Sequence, residues 1–308
     1  AELTEIGSKR SPYYQDGSSI QPAYGSGTQV TEGHFLTKAQ FQELLKYAAS
    51  KYITIIPEIE TPGHARAAIK SMETRYNRLM KAGKTKEAEE FLLYEAADKS
   101  EYSSAQYWDD NVMNPALPSV YHFLDVVLED IKKMYEEVGL KLQVVSMGGD
   151  EVPAGSWEKS PAIQELMKKE GLSTVYDVWP YYVRKVNEIC ASKGIIMEGW
   201  EEFGMVNKGK GMVVNEQLTN LNMQLDVWNN VIGGGHEDLV YKLANAGYKT
   251  IFISAANFYL DMVWDKDFRE HGLKWAAISD LYHSFSLLPE DFFSNMAITE
   301  PGQKLEKD

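Results

Sequence analysis

The sequence predicts an α/β protein, a (β/α)8 TIM barrel with its working face at the carboxyl ends of parallel strands. Three observations carry that prediction. Short apolar, β-branched runs alternate with stretches whose apolar residues recur at helical spacing. Each strand run ends in a polar or aromatic motif, where α/β folds place their chemistry. No Gly-rich phosphate-binding turn follows a strand, which separates the chain from doubly wound sheets with the same local alternation. The 308 residues suffice for one barrel or two small domains. No repeat or linker divides them, so one domain over 1–308 is expected.

The elements follow in order. Residues 1–36 are rich in Gly, Ser, Tyr and Gln and read as a long loop, with Gly25-Ser26-Gly27 a flexible turn. Thr37-Lys38-Ala39-Gln40 fits a capping box, and Phe41, Leu44, Leu45 and Ala48 recur at helical spacing after it. Ile53 to Ile56 reads as a strand closed by Pro57. Residues 66–107 read as a charged helical insertion whose charge run is a solvated face. Pro118 opens a helix with Val120, Phe123, Leu124, Val127, Leu128, Ile131 and Met134 on one face and Gly139 as its stop.

Leu142, Val144 and Val145 then read as a buried strand that stops at Gly148-Gly149. Asp150 and Glu151 follow as adjacent carboxylates. Two anions side by side repel, so one tends to hold a proton near neutral pH, giving a donor beside an electrostatic stabiliser. A solvated acidic turn is the plainer reading of the same pair. Ser160-Pro161 gives a cap and first-turn proline for a helix to Gly171, and a longer helix runs from Val175 to Lys193. Ile195 to Met197 is a strand with Trp200-Glu201-Glu202 at its end. Leu221 to Trp228 holds another strand, and Leu239 to Ala246 is a helix ended by Gly247. The last strand is Thr250 to Ser254, followed by Tyr259 and Asp261.

A hydrophobic fraction of 44% supports a large core. The formal charge of −14 argues against nucleic acid and anionic membranes as partners. The single Cys190 excludes an internal disulfide and a cysteine-based zinc cluster, and its helical neighbours make it a buried, inert thiol. No apolar stretch reaches membrane-spanning length.

Met147-Gly148-Gly149-Asp150-Glu151-Val152 resembles the signature of family 20 glycoside hydrolases, the β-N-acetylhexosaminidases. Ile56-Pro57-Glu58-Ile59-Glu60-Thr61-Pro62-Gly63-His64-Ala65, Gly199-Trp200-Glu201-Glu202, Val227-Trp228 and Asn257-Phe258-Tyr259-Leu260-Asp261 resemble that family's other strand-end motifs, in its order. The resemblance implies cleavage of terminal non-reducing β-linked N-acetylglucosamine or N-acetylgalactosamine with retention. The substrate's acetamido oxygen is then the nucleophile and an oxazolinium ion the intermediate. It makes Glu151 the general acid and base, Asp150 the group that orients the acetamido nitrogen, and Tyr259 the holder of its oxygen. Trp200 and Trp228 would wall the sugar pocket and Asp261 bind a ring hydroxyl. Glu60, where the family has Asp, would support the acid pair. His64 would hydrogen-bond its own loop as a structural histidine. No metal or organic cofactor is implied, and the partners would be β-linked N-acetylhexosamine glycans or glycoconjugates.

Glu2 to Gly7 resembles the segment after the family's second strand, and the tail stops before its last strand motif. The implied chain is thus a partial barrel without the first two strands and the last, from a periplasmic or extracellular protein. The family has His where this chain has Ser146, and Asn111 stands near the place of another family histidine. Three other readings stay open. One is a catalytically impaired barrel that binds N-acetylglucosamine. Another is a two-carboxylate glycosidase pairing Glu151 with a distant acid such as Glu202. The last is a metal-dependent hydrolase using Glu58, Glu60 and His64.

Overall fold

A computed structural model describes residues 2–22, 33, 35–231 and 233–290. The predicted turn at Gly25-Ser26-Gly27 and the chain's tail lie outside them. The chain divides into two compact units after Met197.

The first unit opens on a short helix α1 (Glu2–Glu5), a 3-10 turn at Tyr14–Asp16 and a parallel bridge between Arg10 and Ile20. Part of the predicted loop is therefore ordered by backbone pairing. Helix α2 (Lys38–Ser50) carries the predicted capping box. Thr37 Oγ1 accepts the Gln40 N–H at 3.3 Å, and Gln40 Oε1 accepts the Thr37 N–H at 2.9 Å. Leu45 and Ala48 are the buried residues of α2.

The strand predicted over Ile53 to Ile56 is a correction. Pairing begins only past it: Ser146 N–H donates to Pro57 O at 3.0 Å, Ile59 N–H donates to Ser146 O at 2.9 Å, and Glu58 bridges Ser146. Ile53 is 60% exposed, so its apolar β-branched character does not signal burial here. Helices α3 (Arg66–Lys81) and α4 (Thr85–Glu89) form the helical part of the predicted insertion, and its remainder to residue 107 is turns and loops.

Helix α5 (Pro118–Glu136) buries Val120, Phe123, Leu124 and Leu128, and Gly139 follows with φ +76°. Strand β1 (Val144–Ser146) leads to the acid pair. In α6 (Pro161–Glu170), Ser160 Oγ accepts the Ile163 N–H at 3.1 Å and Gly171 ends the helix. Helix α7 (Val178–Ser192) buries Val178, Tyr182, Val183, Val186 and Cys190. Burial pushes the Cys190 thiol up to about 12, which keeps it inert.

Strand β2 (Ile196–Trp200) starts in the first unit, where Ile196 N–H donates to Gln143 O at 2.9 Å. In the second unit, β3 (Met205–Asn207) and β4 (Met212–Val214) form an antiparallel pair. The sequence does not announce this pair: both strands are three residues long and flank a Lys-Gly-Lys-Gly turn. Strand β5 (Met223–Val227), helix α8 (Leu239–Ala246) and β6 (Lys249–Phe252) make a β-α-β unit with parallel strands, Val227 opposite Phe252. Short helices α9 (Ala255–Phe258) and α10 (Leu281–Phe285) follow. Among the described residues the strands do not close into a barrel; the α/β alternation and the parallel pairing are what the fold displays.

Candidate active site

Asp150 and Glu151 follow β1 on a turn that requires glycine. Gly148 has φ +65°, and a Cβ there would collide with the Glu60 carboxyl and lie 3.1 Å from the Glu60 Cα. A Cβ on Gly63 would lie 3.2 Å from the Asp150 carbonyl oxygen. The two motifs, residues 56–65 and 147–152, thus dock backbone to backbone through their glycines. Glu151 and His64 have φ of +50° and +49°, the left-handed region that side chains rarely occupy. Surrounding bonds hold these conformations. Met113 N–H donates to Pro62 O at 2.8 Å, Ala65 N–H donates to Asn111 O at 3.0 Å, and the hydroxyls of Thr61 and Tyr182 are paired.

This docking brings His64 onto the acids. Its Nε2 is 3.2 Å from Asp150 Oδ2 and 3.2 Å from Glu151 Oε2. Hydrogen bonds to Asp150 and then Glu151 outweigh burial and push the imidazole up to about 10, so it is a cation at neutral pH. His64 therefore bonds the acid pair, where a hydrogen bond within its own loop was expected. The sequence pattern suggests relief of the acid pair by a proton; the structure sets an imidazolium between them. Beside them Glu60 is pushed up to about 9, first by burial, then by the negative charges of Asp150 and Glu58, and is neutral at pH 7. Ser146, below the pair, is buried and accepts the Gly148 N–H at 3.4 Å.

His64, Asp150 and Glu151 each offer a donor atom, all within 4.8 Å of one another, and among the described residues they form the set able to hold a metal. The Glu58, Glu60 and His64 combination does not converge. With His64 protonated, the three side chains offset one another's charge.

The second unit gathers the other predicted residues. Trp228 and Tyr259 both pack edge-on against Trp275, with ring centroids 5.8 Å away in each case. They border a small core of Ala255, Met262 and Ala276. Trp275 lies in an irregular segment without periodicity, so sequence reasoning misses it. Trp200 is half-buried at the end of β2. Asp261 is exposed, and its carbonyl accepts the Leu273 N–H at 2.7 Å. Glu201 is buried and accepts the N–H groups of Trp228 at 2.9 Å and Asn229 at 3.2 Å. Burial and then Glu202 push it up to about 9.

An acid and histidine cluster on a strand-end turn defines the class: an α/β protein with titratable side chains gathered at the carboxyl end of a parallel strand. The chain belongs to glycosyl hydrolase family 20, whose catalytic-domain model matches residues 1–303. It is 31% identical over 300 residues to a beta-hexosaminidase of Vibrio vulnificus, covering 96% of this chain and 35% of that protein. It is 31% identical over 327 residues to the N,N'-diacetylchitobiase of Vibrio harveyi, covering 96% and 36%. Its structure resembles that of the family 20 exo-β-N-acetylglucosaminidase of Vibrio harveyi in complex with N-acetylglucosamine. The TM-score is 0.73 at 33% identity, over 92% of this chain and 38% of that one. The chain spans about a third of the length of these relatives.

Proposed function

We propose that this protein removes terminal non-reducing β-linked N-acetylhexosamine, N-acetylglucosamine or N-acetylgalactosamine, from glycans with retention. One observation carries the reading: the His64 imidazole reaches both members of a strand-end carboxylate pair in a family 20 chain. A cation shared by two acids fixes their rotamers and offsets their repulsion, so each can act separately.

In the first step the acetamido oxygen forms a bond to C1 as the C1–oxygen bond to the leaving group breaks. Glu151 gives the departing oxygen the proton it shares with His64 Nε2 across 3.2 Å. Asp150 accepts from the acetamido N–H and balances the positive charge of the oxazolinium ring. In the second step Glu151 takes a proton from water as the water oxygen bonds to C1, and the electron pair returns to the acetamido oxygen. Glu60, neutral under Gly148, keeps a third negative charge from crowding Asp150. In the same reading Tyr259 holds the acetamido oxygen, Asp261 binds a ring hydroxyl, and Trp200 and Trp228 pack on the pyranose face. The reading includes a single barrel domain completed by strands outside this chain, and a periplasmic or extracellular location.

The test compares an aryl N-acetyl-β-glucosaminide with the plain β-glucoside, for this chain, for a version extended at both ends, and for their Glu151→Gln variants. Turnover confined to the acetamido substrate and lost with Glu151→Gln is expected. Equal turnover of the plain glucoside would replace this mechanism with a two-carboxylate one. Sugar binding without turnover in every version would favour a catalytically silent barrel.

A further inference from the structure

We propose that the cavity beside His64 is the subsite for the leaving-group sugar, and that it selects one bearing an acidic substituent, a carboxylate or a sulfate ester. The inference rests on Glu151 as general acid and deepens that reading.

The cavity has a volume of about 230 Å³ and lies wholly within the first unit. That is room for several waters or one sugar ring. Two of its lining residues touch the acid machinery. His64 contacts both carboxylates, and Gln106 Nε2 donates to Glu151 Oε2 at 3.5 Å. A general acid protonates the oxygen that leaves, so the group on the far side of that oxygen lies within reach of the acid. A cavity that shares its wall with Glu151's partners meets this condition.

The lining chemistry sets the preference. Arg10 and Arg66 line the cavity, and none of its described lining residues is a carboxylate, in a chain with a formal charge of −14; His64 also lines it, its charge already met by Asp150 and Glu151. Both guanidiniums are held in place before any ligand arrives. Arg66 lies 4.0 Å over the Trp108 ring, and its Nε donates to Asp110 Oδ1 at 2.6 Å. Asp110 also pairs with Lys70 at 3.0 Å, so its charge is already shared. Arg10 Nη1 donates to the carbonyls of Gly7 at 2.9 Å and Lys9 at 3.1 Å. The guanidiniums are near enough for Arg66 to lower the Arg10 pKa, after the larger effect of burial. An anion taking hydrogen bonds from both relieves that repulsion, and planar guanidinium suits carboxylate and sulfate oxygens. Asn111 supplies the opposite polarity. It lines the cavity, is 1% exposed, and its Oδ1 has no hydrogen-bond partner. A sugar hydroxyl would give this buried acceptor the donor it lacks.

The experiment measures binding of the full chain by calorimetry at low salt. The probes are N-acetylglucosamine, N,N'-diacetylchitobiose, N-acetylglucosamine β-linked to glucuronate, and chitobiose sulfated on its reducing residue. The acidic disaccharides should bind about tenfold tighter than chitobiose, the size of one charge-assisted hydrogen bond. Added salt should erode that advantage. Arg10→Gln should bring the acidic-to-neutral ratio towards one, and Arg10→Lys, which keeps the charge, should keep part of it. The glucuronate and sulfate arms show which anion is preferred. Chitobiose binding as tightly as both acidic ligands overturns the inference, as does an Arg10→Gln variant that weakens acidic and neutral ligands equally. Monosaccharide binding with no disaccharide preference removes this inference alone. Failure of N-acetylglucosamine itself to bind removes the functional reading, and this inference with it.

Discussion

Two regions of the molecule carry nearly the same sequence device and use it differently. In each, a glycine at or just past a strand end precedes adjacent acids: Gly149-Asp150-Glu151 after β1, and Gly199-Trp200-Glu201-Glu202 at the end of β2. Each region also buries a glutamate pushed up to about 9, Glu60 in the first and Glu201 in the second. Around Glu60 the neighbours are side chains that can gain or lose protons, and a histidine joins two carboxylates. Around Glu201 the carboxyl's hydrogen bonds come from the backbone N–H groups of Trp228 and Asn229, which titrate nowhere near neutral pH, while Glu202 is the titratable neighbour that raises it beyond the effect of burial. The first arrangement can move a proton; the second ties the end of β2 to the end of β5. An elevated carboxyl pKa therefore marks burial, and the surrounding partners decide whether it marks chemistry.

Substitutions can break this contrast. The largest effect is expected for Glu151→Gln, a loss of about 10²- to 10⁴-fold in kcat/KM, with a melting temperature near that of the parent. A comparable loss for Glu202→Gln with Glu151→Gln still active would move the chemistry to the second unit. Next is Glu201→Ala, which takes the acceptor from two part-buried N–H groups and should cost about 1–3 kcal/mol in urea unfolding. An unchanged urea midpoint would show that the backbone clamp is not stabilising.

Gly148→Ala comes third. The added Cβ meets the Glu60 carboxyl at a left-handed φ, and a loss of about 1–3 kcal/mol is expected. A denaturation curve superimposable on the parent's would mean that the turn relaxes freely.

The smallest effect is on pH dependence. Glu60 rises from an ordinary 4.5 to about 9 on folding, and His64 from 6.5 to about 10. The folded state holds both protons more tightly than the unfolded chain. Their contribution to stability is complete below the unfolded values and is lost as pH rises through the folded ones. The melting temperature should fall between pH 7 and 10, and less steeply in Glu60→Gln, which cannot ionise. A slope unaffected by that variant would separate Glu60 from the alkaline loss.

Helices α2, α5, α6 and α8 and their ends were legible in the sequence, whereas α1, α9 and α10 were not. Capping at Thr37 and Ser160, the prolines at 118 and 161, and glycines at 139, 171 and 247 act through nearest-neighbour backbone geometry, which needs no tertiary partner. The sequence also marked Asp150-Glu151 and the segment from Glu58 to His64 as chemically distinct, because glycine beside acid at a strand end is a local pattern. Residues Ile53 to Ile56 are as apolar as a buried strand, yet their ladder does not form, since pairing depends on a partner strand beside them. The same limit hid the β3–β4 pair and Trp275. That His64 reaches Asp150 and Glu151 rather than its own loop follows from the long-range packing of two strand-end turns. Residues more than eighty positions apart in sequence meet there because Gly148 and Gly63 let two backbones approach, and no one-dimensional pattern encodes that meeting.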